Sequence, residues 1–92
     1  MATKTFKIGE YAKGGIIKVS TKDNKIDIVV IDMFDKTELY SHKETINGYD
    51  FINCNDIERR IFRFLHEITI SYYAAKIMNW LKDKTGLKFI WC

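Results

Sequence analysis

Proline is absent from the 92 residues, and glycine occurs only five times. Turns must therefore be built from Gly, Asn, Asp and Ser. The two cysteines, Cys54 and Cys92, are too few for the disulfide framework of a small secreted domain. Neither has a Cys or His partner at metal-ligand spacing, so both read as free thiols, and no metal or cofactor is expected. No apolar run approaches the roughly 18 residues of a membrane span. No basic segment followed by an apolar one marks a secretory signal. Ser20, Ser41 and Ser71 lack a Gly-x-Ser-x-Gly setting, and Gly14-Gly15 is not followed by the Gly-Lys-Ser/Thr of a phosphate loop. Cys54 and Cys92 share no local motif with His42 or His66 that would mark a catalytic pair. The sequence does not read as an enzyme.

What is present is a chain that is 47% hydrophobic and 14% aromatic, enough to fill the core of one domain spanning residues 1–92. The net charge of +3 conceals a strong partition. Residues 1–25 carry +4, residues 26–58 carry −6, and residues 59–92 carry +5. Such asymmetry marks either an anion-binding face beside an acidic one or basic helices that answer acidic strands.

Alternation of apolar and polar residues predicts strands over 3–12, 16–21, 26–34 and 37–45. Gly14-Gly15 and Lys22-Asp23-Asn24-Lys25 supply turns between them. From Asn55 the period changes to 3.6: Ile57, Ile61, Phe64, Leu65 and Ile68 form one stripe, with Asn55 as the expected cap and Glu58 as the capping-box acid. Ser71 is placed to cap a second helix that Gly86 ends. Tyr73, Ile77, Met78, Trp80 and Leu81 share its apolar face, and Leu87, Phe89 and Trp91 alternate as a short closing strand. The expected fold is α+β: an antiparallel sheet of about four strands, then two helices packed on one face, then a short C-terminal strand.

Arg59, Arg63 and His66 follow i, i+4, i+7 spacing opposite the apolar stripe, with Arg60 to one side. The chain uses lysine for every other cation, so three arginines within five residues form a distinct cluster. Arginine grips phosphate or carboxylate with a rigid fork and stacks on rings. Tyr72, on the polar side of the second helix, offers a face for a base. The expected ligand-binding set is Arg59, Arg60, Arg63, His66 and Tyr72; a solvated helix face answering the acidic strands is the plain alternative.

The opening Met1-Ala2-Thr3-Lys4-Thr5-Phe6-Lys7-Ile8-Gly9-Glu10 resembles the start of small phage proteins, including an anti-CRISPR of type II-C that binds a CRISPR nuclease. The strand pair from Lys7 to Ile17 and the helix start Ser71-Tyr72-Tyr73-Ala74-Ala75-Lys76-Ile77 are similar in pattern to the Thoeris anti-defence sponges. That resemblance implies a phage counter-defence protein acting in the host bacterial cytoplasm. Its partner would be a cyclic nucleotide signal, such as a cyclic ADP-ribose isomer or cyclic oligonucleotide, sequestered without catalysis at the interface of a homo-oligomer, at least a dimer. The alternative is an inhibitor that binds a host defence protein directly. A small nucleic-acid-binding module is a third reading, opposed by the eight acids of residues 26–58 and an isoelectric point near 8.9. No membrane partner is expected.

Overall fold

In the computed structural model, which describes residues 1–89, four strands form an antiparallel meander: β1 (Ala2–Lys7), β2 (Gly15–Lys22), β3 (Lys25–Asp32) and β4 (Glu38–Thr45), in the order β1-β2-β3-β4. Two helices follow, α1 (Asn55–Ile68) and α2 (Ser71–Thr85). Both pack on one face of the sheet. From that face Ile17, Val19, Ile26, Ile28 and Val30 meet Ile57, Ile61, Leu65 and Ile68 of α1 and Ala74, Ile77, Met78 and Leu81 of α2 in one buried cluster. Each fully buried aliphatic there contributes about 1.5–3 kcal/mol over leaving it in water. The expected α+β architecture is the one observed.

Three local expectations are corrected. The first strand stops at Lys7, and Gly9–Tyr11 is a 3-10 turn. Gly9 takes φ +66°, a left-handed conformation that ends an extended strand. Long-range bonds fix the segment beyond it: Thr69 Oγ1 donates to the Tyr11 carbonyl at 2.6 Å, and the Lys13 N–H donates to the Ile68 carbonyl at 2.8 Å. The connection between β1 and β2 thus caps the end of α1. The second correction concerns helix starts. Asn55 is the first residue of α1, the cap position falls on Cys54, and the Asn55 N–H donates to Asn53 Oδ1. The reciprocal capping box forms upstream, where Asn47 and Asp50 bracket a 3-10 turn over Gly48–Phe51. Ser71 likewise begins α2 without capping it, the cap position being Ile70.

The third correction is the closing strand. Residues 87–89 join no sheet; Leu87 and Phe89 are buried, and the Lys88 carbonyl accepts the Cys54 thiol at 3.0 Å. The rest of that expected strand, with Cys92, lies outside the described residues. Burial and the nearby Glu58 carboxylate push the Cys54 thiol above its ordinary range, so it stays protonated and unreactive at neutral pH.

One glycine pair is sterically required. Gly14 and Gly15 have φ of +72° and +94°. A Cβ on Gly14 would lie 2.8 Å from the Ile31 carbonyl oxygen, and one on Gly15 would lie 2.5 Å from Met33 Sδ. The turn entering β2 is wedged against the end of β3.

Candidate functional site

Because Ile57, Ile61, Leu65 and Ile68 point inward, α1 turns Arg59, Arg60, Arg63 and His66 to solvent. The structure divides them between two shallow grooves. Arg59 lines one of about 270 Å³ with Asn55, Glu58 and Phe62. The His66 ring stands edge-on to Phe62 at 4.0 Å, on the same side of the helix. Arg60 and Arg63 line the other, of about 260 Å³, with His42, Phe64 and Glu67.

The second groove is built on β4. Register pairs Val30, Ile28 and Ile26 of β3 with Tyr40, His42 and Glu44 of β4, so these three polar residues continue the helix-covered face of the sheet. Glu44 is 8% exposed, and a carboxylate so placed needs partners. Arg60 supplies a forked pair, Nε to Oε2 at 2.9 Å and Nη2 to Oε1 at 2.8 Å. His42 Nε2 lies 2.7 Å from Oε2, and since a carboxylate only accepts, that nitrogen carries the donated proton. Burial works to raise the Glu44 carboxyl, but the hydrogen bonds from Arg60 and His42 prevail and hold it below its ordinary range. Phe64 stacks on the His42 ring at 5.2 Å, completing the floor.

The chemistry of the two arginines therefore differs. The Arg60 fork is committed to Glu44, whereas Arg63 is exposed and makes no ion pair among the described residues. Tyr72 lines neither groove. It sits in the first turn of α2, edge-on to Tyr73 at 5.1 Å, and Lys76 Nζ lies 4.6 Å from its ring centroid. The expected set thus falls into three places: Arg60 with Arg63, Arg59 with His66, and Tyr72 apart.

Sequence reasoning missed His42 and Glu44. The signal was present in the alternation of β4, whose inward phase carries Tyr40, His42 and Glu44 where a fully covered strand would carry aliphatics. Among the described residues no three His, Cys, Asp or Glu side chains gather as a metal site, and no helix is long and apolar enough to cross a membrane. Comparison with protein-family models, with curated proteins and with solved structures finds no match.

Proposed function

We propose that this chain is a non-catalytic binding protein for a phosphate-bearing ligand. In the form its phage-protein resemblance suggests, it sequesters a cyclic nucleotide signal in the host bacterial cytoplasm. The observation that carries the reading is the Arg63 guanidinium, free of ion pairs among the described residues, beside an Arg60–Glu44–His42 cluster that fixes the wall of the same groove. A forked guanidinium donor grips phosphate oxygens through paired, charge-assisted hydrogen bonds. A groove this open shields a ligand on one side only. A second copy packed across α1 closes it from the other, which is why the reading calls for at least a dimer. Calorimetric titration with cyclic ADP-ribose isomers and cyclic oligonucleotides tests it. The expected result is binding below about 10 μM that weakens at least tenfold in Arg63→Ala, since a hydrogen bond to a charged group contributes about 1.5–3 kcal/mol.

One observation favours direct inhibition of a host protein instead. Around the turn from β3 to β4, Met33, Phe34, Leu39 and Tyr40 are exposed, Phe34 at 87%, and are interspersed with Asp32, Asp35 and Glu38. An apolar patch with an acidic rim suits a basic protein surface. Failure of every nucleotide to bind below about 10 μM, together with stoichiometric capture of a host defence protein that Phe34→Ala abolishes, would select this second reading.

A further inference from the structure

Both helices pack on one face of the sheet, and the composition of the opposite face is uneven. Register places Lys7, Lys18, Lys22, Lys25 and Lys43 on it, with Thr3, Thr5, Ser20, Ser41 and Thr45 between them and the aliphatic Ile16, Val29 and Ile31 in its two middle strands. All five lysines are exposed. Among the described residues the only acids that share the face by register are Asp27, opposite Lys43, and Glu38 at one corner. The remaining acids of residues 26–58 are sorted elsewhere by the fold. Asp32 and Asp35 bond within the turn after β3, Glu44 points to the helix side, and Asp50, Asp56 and Glu58 belong to the 3-10 turn and α1. An acid count that argues against nucleic acid along the sequence therefore does not describe this surface.

From these placements the geometry points to the open sheet face as a docking surface for the phosphate backbone of duplex nucleic acid. Strands lie about 4.8 Å apart and same-face residues about 7 Å apart along a strand. Lys7 and Lys18 are thus neighbours on a diagonal, as are Lys25 and Lys43, about 8 Å apart in each pair, and Lys22 faces Lys25 directly. Two hollows mark the ends of the face. One is lined by Lys22, Lys25, Asp27, Lys43 and Glu44, and the other by Lys7, Gly9, Ile16, Met33 and Lys36. Among the described residues no aromatic shares the face by register, so the strands offer no stacking platform for the bases of a single strand. Lysine as a mobile point charge suits phosphates, which position a protein without reading sequence. A second copy does not fit, because two such faces repel. The inference is independent of the α1 groove.

The test is fluorescence anisotropy of the whole protein with a labelled 24-base-pair duplex of arbitrary sequence, titrated from 50 to 200 mM salt. Engagement of about four lysines gives a log–log salt slope near −3.6, a loss of about 10²-fold in affinity across that range. Lys18→Gln with Lys43→Gln is expected to flatten the slope by about 2 while leaving the melting temperature unchanged. Asp27→Asn, which removes the central acid, is expected to tighten binding about threefold. Charge reversal of Arg59 and Arg63 should leave duplex affinity within about threefold. Absence of saturable binding at 50 mM salt would overturn the proposal. So would tighter binding of a single strand than of the duplex, equal binding of polyglutamate, or greater damage from the α1 variants than from the sheet variants.

Discussion

On β3 the neighbours Ile28 and Val29 point to opposite sides of the same sheet. Ile28 is fully buried beneath the helices, and Val29 is half-buried between Lys18 and Ser41. The backbone ladder is shared, yet the covered side is mainly aliphatic, while the other sets lysine, threonine and serine around Ile16, Val29 and Ile31. On one side water is excluded and the hydrophobic effect supplies stability; on the other, charges remain hydrated and available. The difference shows that this fold separates most of its stabilising contacts from most of its exposed charges. β4 departs furthest from that pattern, since Tyr40, His42 and Glu44 bring polar groups to the covered side, where Lys4 of β1 and Thr21 of β2 also lie.

Substitutions can break or sharpen that contrast. The largest effects belong to the covered face, where Ile28→Ala and Ile61→Ala are each expected to cost about 2–5 kcal/mol in denaturant unfolding. Gly14→Ala comes next, at about 1–3 kcal/mol, because it forces a left-handed side chain against the Ile31 backbone. Glu44→Gln follows, at about 1–3 kcal/mol near neutral pH, by weakening charged bonds from Arg60 and His42. Glu44 also sets an acid limb. Its folded pKa lies below the ordinary 4.5, so its contribution is present above that value and is lost as pH falls through the folded pKa. Thermal melts from pH 6 to pH 2 should therefore show a shallower acid decline in Glu44→Gln than in the parent. The smallest effects belong to the open surfaces: Lys18→Ala, Lys43→Ala and Arg59→Ala should each shift stability by less than about 0.5 kcal/mol.

The covered face was readable in the sequence because it is periodic. The β-branched run of β3 and the stripe of α1 each bury one side, and local spacing alone reveals them. Residues 8–12 were not readable as a turn, because their path is set by bonds from Lys13 to Ile68 and from Thr69 to Tyr11. No window along the chain contains both partners. Helix capping failed for a related reason: Asn47 and Asp50 satisfy the same pattern as Asn55 and Glu58, and which pair closes depends on where the chain leaves β4. At the candidate site, the spacing of the arginines gave their common helix but not their division between grooves. That division depends on Glu44, which sits sixteen residues before Arg60 and captures its fork.

The proposed division puts stability in the helix-covered face and duplex binding on the open, lysine-bearing sheet face. Backbone and lysine-ammonium chemical-shift mapping during titration with a short DNA duplex tests it most directly. The expected result is shifts concentrated at Lys7, Lys18, Lys22, Lys25 and Lys43, with the amides of Ile61, Leu65 and Ile77 unmoved. Shifts spread through those core positions, or confined to α1 with the sheet lysines silent, would contradict it.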